Sequence, residues 1–209
     1  DATPPIITVE APAGGEKWQG NSNHNITFTA TDESGIKANS LSIWSSTNGG
    51  TTYPNLITSD AAVVSPYVWT VTSTNTAQAR VRVTLKDNSP QFNLGTGESA
   101  ANFIIDSTPP SAPNLITPAN GNVTSDNTPT LTWEAATDNL SGIMSYEIHL
   151  DTTLITQDAT ASYTTGLLAD GMHTWEVKAK DGAGIWGSYS STFTFEVKAT
   201  GPSVASIEV

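Results

Sequence analysis

The sequence has 209 residues with 8 Lys and Arg against 20 Asp and Glu, a net charge of −12, 12 Pro, 16 Gly and no Cys. That charge sets nucleic acids and anionic membrane surfaces against a repulsive field. The missing Cys excludes disulfides and thiolate metal sites, and no apolar stretch nears the ~20 residues of a membrane-crossing helix. Only 13% of residues are charged, and Thr and Ser abound, a composition that suits sheets better than helices.

The chain opens on Asp1-Ala2-Thr3-Pro4-Pro5, which lacks the basic start and apolar stretch of a signal peptide. An export signal is expected upstream or already removed. Short β-branched or aromatic segments follow at 6–10, 25–29, 41–45, 68–72, 80–85 and 101–105, and their alternation predicts strands. Ala13-Gly14-Gly15, Asn48-Gly49-Gly50 and Asp87-Asn88-Ser89-Pro90 separate them as turns. Asp106-Ser107-Thr108-Pro109-Pro110 then restarts the pattern, and Ala30-Thr31-Asp32-Glu33-Ser34-Gly35-Ile36 returns as Ala136-Thr137-Asp138-Asn139-Leu140-Ser141-Gly142-Ile143. Two matches at nearly one spacing predict tandem domains joined by stiff, extended Pro-Pro hinges.

Further strands are expected at 130–133, 145–150, 162–164, 173–180 and 192–197, and no helical period persists beyond about two turns. The predicted fold is all-β: two tandem antiparallel β-sandwich domains, residues 1–105 and 106–198, followed by a tail strand within 199–209. Alternation assigns one core to Ile7, Val9, Ile26, Phe28, Leu41, Ile43, Trp69, Val71, Val81, Val83, Phe103 and Ile105. The second comprises Leu131, Trp133, Tyr146, Ile148, Trp175, Val177, Ala179, Phe193, Phe195 and Val197.

Thr128-Pro129-Thr130-Leu131-Thr132-Trp133, Ser141-Gly142-Ile143, Asp170-Gly171-Met172-His173-Thr174-Trp175 and Val177-Lys178-Ala179-Lys180-Asp181-Gly182 resemble the fibronectin type III-like and Ig-like modules of prokaryotic surface and secreted proteins. The first repeat looks like a sister module through Gly14-Gly15-Glu16-Lys17-Trp18 and Tyr67-Val68-Trp69. The resemblance implies spacers, stalks, surface-layer pieces or accessory domains of secreted enzymes.

Chemistry is sparse. His24, His149 and His173 are too separated to announce a metal site, and no Gly-x-Ser-x-Gly elbow accompanies the many Ser. No catalytic, cofactor or metal residue is assigned. Asp32, Glu33, Asp87, Asp106, Asp138, Asn139 and Asp181 fall in turns or at the hinge, where oxygen ligands for calcium can converge, yet the same residues are what β-turns use. Sequons at Asn25, Asn122 and Asn139 are no more than chance supplies. Ser46-Thr47-Asn48-Gly49-Gly50-Thr51-Thr52-Tyr53 echoes the Asp-box hairpin turn, and Trp18, Tyr53 and Trp186 are aromatics that could stack on sugars.

These features predict a non-enzymatic, extracellular or cell-surface architectural module: a stalk, surface-layer piece or fibre subunit. The alternative is a carbohydrate- or protein-binding adhesion module, accessory to a secreted enzyme. Expected partners are other proteins, a surface glycan, or further copies of the chain. In the tail, Ala205, Ile207 and Val209 alternate with Val204, Ser206 and Glu208. Such a strand either opens a further domain or joins copies head to tail through Ser203 to Val209.

Overall fold

The computed structural model describes residues 2–200. The expected tail strand at 203–209 lies outside the described residues. The chain divides into two units, residues 1–108 and 109 onward, between Thr108 and Pro109.

In unit 1, Ile6–Ala11 (β1), Asn23–Thr31 (β3) and Tyr67–Thr70 (β6) form one antiparallel sheet in the order β1-β3-β6. The facing sheet runs Lys17–Gln19 (β2), Phe103–Asp106 (β9), Thr76–Lys86 (β7), Leu41–Ser46 (β4) and Asn55–Ala61 (β5), with Leu94–Glu98 (β8) also paired to β7. Unit 2 repeats this layout. Asn114–Thr117 (β10), Thr130–Glu134 (β12) and Ser162–Thr164 (β15) make the small sheet. The large one comprises Asn122–Thr124 (β11), Phe193–Val197 (β17), Gly171–Asp181 (β16), Ile143–Leu150 (β13) and Thr153–Gln157 (β14). Two pairings, β2 with β9 and β11 with β17, are parallel.

The alternation that predicts strands also fills the cores. Ile26, Leu41, Ile43, Val81, Val83 and Phe103 are fully buried in unit 1, as are Leu131, Tyr146, Ile148, Trp175, Val177 and Phe195 in unit 2. Ile7 and Phe193 are only half-buried, packed at the margin. Trp18, Ala79, Leu85, Ala136 and Leu150 join the cores beyond expectation. Trp18 therefore corrects the reading of an exposed sugar-stacking ring. Its short strand pairs with β9 and turns the indole inward, against Trp69, Phe103 and His24, the last stacked at 4.5 Å.

The second proline of each Pro-Pro motif is tucked into its own unit. Gly95 lies so close to Pro5 that an added Cβ would stand 2.3 Å from the Pro5 carbonyl oxygen, and at Gly187 the corresponding gap to Pro110 is 2.6 Å. Only glycine admits that approach of two backbones.

Candidate ligand-binding face

The acidic turn residues make their turns. Asp32 Oδ1 accepts from Ser34 N and Oγ at 2.9 and 2.7 Å, and Asp138 Oδ1 accepts from the amides of Leu140, Ser141 and Gly142. Asp181 Oδ1 accepts from Ala183 and Ile185, while Asp106 caps Thr108 N at 3.0 Å. Burial pushes the Asp87 carboxyl upward, but bonds from Ser89 and Asn93 outweigh it and hold the pKa below its ordinary value. Within unit 2, carboxylate oxygens of Asp138 and Asp181 stand within 4.8 Å of one another, donors of the kind a hard cation takes. Glu33 and Asn139 are exposed on the same turns.

The histidines are held structurally. His173 is nearly buried and places Nδ1 2.7 Å from Asp151 Oδ2 and Nε2 2.9 Å from the Ala169 carbonyl. Both nitrogens are thereby engaged. His24 Nε2 lies 2.9 Å from Ser22 Oγ, whose own proton goes to the Gln19 carbonyl at 2.6 Å. That direction is the reverse of what an activated serine needs. His149 meets Glu176 at 3.3 Å on the outer face of its sheet, not its sequence neighbour Asp151.

The outer face of the large sheet in unit 1 gathers the most chemistry. Along β4, Leu41 and Ile43 point inward, so Trp44 points out. Register then sets Trp44 beside Arg82 and Arg82 beside Glu98, and in the next row Ser42 beside Thr84 and Thr84 beside Thr96. Tyr53 arrives from the turn after β4. There Asn48 Oδ1 accepts from Ser46 Oγ at 2.8 Å and Thr52 N at 3.0 Å, Gly50 N donates to Ser46 Oγ at 3.0 Å, and Gly49 and Gly50 take φ of 72° and 84°. These bonds fix the turn from within.

The turn lays the Tyr53 ring on the Arg82 guanidinium, 3.9 Å from the ring centroid, and Tyr53 Oη donates to Glu98 at 2.8 Å. Arg82 bonds Glu98 through both Nε and Nη2 at 2.8 Å. Burial, then the Glu98 bond, push the Tyr53 hydroxyl up to about 12. It stays a neutral donor at any physiological pH.

The corresponding face of unit 2 is filled differently. Lys178 pairs with Glu147 at 2.7 Å and lies over the rings of Trp186 and Tyr189, 4.7 and 4.6 Å from their centroids. Tyr189 Oη donates to Glu147 at 2.5 Å. The bond from Lys178, then that from Tyr189, hold the Glu147 carboxyl below its ordinary value. Trp186 is exposed, as expected, with Lys180 also against its ring.

Residues 113–177 match the family model described as a bacterial Ig domain. Exoglucanase A of Cellulomonas fimi is 38% identical over 99 residues, covering 46% of this chain and 11% of that protein. Chitinase A1 of Niallia circulans is 30% identical over 185 residues, covering 84% of this chain and 26% of that protein. Chitinase Chi52 of Paenibacillus xylanexedens is 35% identical over 92 residues, 44% of this chain and 17% of its own length. The chain thus spans a quarter or less, roughly, of the curated relatives it matches. The fibronectin(III)-like modules of Clostridium thermocellum CbhA align with a TM-score of 0.53 at 18% identity, covering 92% of this chain and 94% of theirs. Chicken CNTN1 FN1–FN3 domains align at 0.50 with 17% identity, covering 95% and 66%. At such identities the likeness is one of fold.

Proposed function

We propose that this tandem of Ig-like and fibronectin III-like β-sandwich modules is a non-catalytic accessory segment of a secreted bacterial protein that acts on polysaccharide. The carrying observation is the 185-residue match to Chitinase A1, which runs through both units yet covers only 26% of that protein. A stretch of that proportion accompanies other domains there. Exoglucanase A and Chitinase Chi52 match over shorter stretches. A stalk, surface-layer or fibre role, the first expectation from the sequence, draws no support from these relatives, whereas the accessory role does.

The test is the native polypeptide. A mass well above 21.9 kDa, with glycosidase activity in the remainder and no reducing sugar released from cellulose or chitin by residues 1–209 alone, is the expected result. A native subunit of about that mass, with no further domain, would overturn the accessory reading.

A further inference from the structure

The outer face of the unit 1 sheet holds a shallow groove of about 290 Å³ lined by Trp44, Tyr53, Arg82, Thr84, Leu94 and Thr96. Its walls are aromatic and apolar: Trp44 and Tyr53 are half-buried, and Leu94 is 56% exposed. Thr84, nearly buried, forms part of the floor, with Thr96 beside it in register. The strong charges are spent on each other, since Arg82 is bound to Glu98 at 2.8 Å and Tyr53 is bound to both. The side chains that would meet a ligand are therefore ordered beforehand, which lowers the entropy lost on binding.

The geometry points to this groove as a binding site for a neutral polysaccharide. A pyranose offers a flat C–H face to an aromatic ring and a rim of hydroxyls to polar neighbours. Trp44, with Leu94 beside it, supplies the first kind of surface, one face of Tyr53 being taken by Arg82; the threonines, the edge of Tyr53 and the outward edge of the Arg82–Glu98 pair supply the second. Of the charges at the groove, Arg82 is neutralised by Glu98, Arg80 beside it is bonded to Asn102 and the Ser99 carbonyl, and a chain carrying −12 repels polyanions. A folded protein partner would need roughly 800 Å² of matched surface on this side, whereas one strand of glycan needs only a furrow. On the equivalent face of unit 2, Lys178 and Lys180 lie against the rings, and the hollow beside them, about 150 Å³, is lined by the polar groups of His149, Glu176 and Thr192. The inference rests on the accessory-module reading for its choice of glycan over other neutral polyols.

The test uses residues 1–209 mixed with insoluble cellulose, insoluble chitin and, as a polyanion, polygalacturonate, with free protein measured after sedimentation. Binding to cellulose or chitin and not to polygalacturonate is expected. Trp44→Ala and Leu94→Glu should each weaken it by about tenfold or more. Leu94 is exposed, so Leu94→Glu keeps the fold, and a melting curve on each variant checks this. Failure to bind either neutral polymer, preference for polygalacturonate, or wild-type binding by Leu94→Glu would each overturn the groove. A chain that binds neither polymer, although the native polypeptide is a glycosidase, removes the groove and leaves the accessory reading standing. Groove-dependent binding by a protein with no catalytic domain does the opposite.

Discussion

Tyr146→Phe isolates one buried hydrogen bond. Tyr146 is fully buried, its ring set edge-on to Trp133 with centroids 5.2 Å apart, and its hydroxyl accepts from the Ala136 amide at 3.0 Å. Ala136 is itself 6% exposed, so water cannot replace the lost acceptor without opening the core. Phenylalanine keeps the ring and its packing and removes only the oxygen. Stranding a buried donor costs about 1–3 kcal/mol. For a unit of this size each kcal/mol lowers the melting temperature by roughly 4–8 °C. Calorimetry of the chain should therefore show a transition moved down by on the order of 5–20 °C. Hydrogen exchange adds a local readout: the Ala136 amide should lose about tenfold or more of its protection. A melting temperature within about a degree of wild type, with Ala136 still protected, would show that this bond contributes nothing net.

The two units should respond oppositely to pH. Burial lowers the His24 pKa below 6.5, so its contribution is complete above that value and is lost as pH falls through the folded pKa; His24→Gln should cost more at pH 8 than at pH 5. Burial opposes protonation of His173 too, but Asp151 and the Ala169 carbonyl outweigh it and raise the pKa above 6.5. Its contribution is complete below 6.5 and is lost as pH rises through the folded pKa, so His173→Gln should cost more at pH 5. Denaturant melts of both variants at both pH values check the signs, and a reversed order in either would contradict the assignment. Gly187→Ala should destabilise unit 2 by about 1–3 kcal/mol, because the new methyl would meet the Pro110 backbone rather than a movable side chain. An unchanged denaturation midpoint would show that the two backbones separate freely.

Strong alternation carried the β-sandwich reading, and weak alternation explains the strands that went unmarked. β8 reads Leu-Gly-Thr-Gly-Glu, with Gly95 and Gly97 turned inward against β1. Its core-facing side is built of backbone contacts that leave no apolar pattern. β5, β10, β11 and β14 have no fully buried residue and β2 has only Trp18, so no apolar period marks them. Trp18 stood alone between Lys17 and Gln19, so nothing local told its burial from exposure. For the candidate face, the outward direction of Trp44 was implicit in Leu41 and Ile43, and Ser46-x-Asn48-x-Gly50-x-Thr52-Tyr53 did mark the turn. What residue spacing could not supply was the register of β7 and β8, which alone decides that Arg82, Glu98 and Tyr53 meet. The Pro-Pro motifs were legible as stiff segments, but the glycines receiving Pro5 and Pro110 lie too far along the chain to be linked to them by pattern.

Parallel pairing of β2 with β9, and of β11 with β17, sets the route by which tension crosses each unit. In each pair one strand lies early in the unit and the other at its end, and both run in the same direction. A pull on the two ends of the chain drives such neighbours past each other lengthwise once the strand before them has been drawn away. The bonds between them, Ile104 N to Glu16 O and Gly20 N to Asp106 O in one unit and Lys198 N to Thr124 O in the other, then share the load and must yield nearly together, where an antiparallel end pair would peel one bond at a time. The rupture force measured by stretching single molecules is therefore set by a few main-chain bonds at this clamp, and replacing Thr124 by proline, which removes the amide on the side of β11 whose carbonyl bonds Lys198 N, should lower it in unit 2 alone.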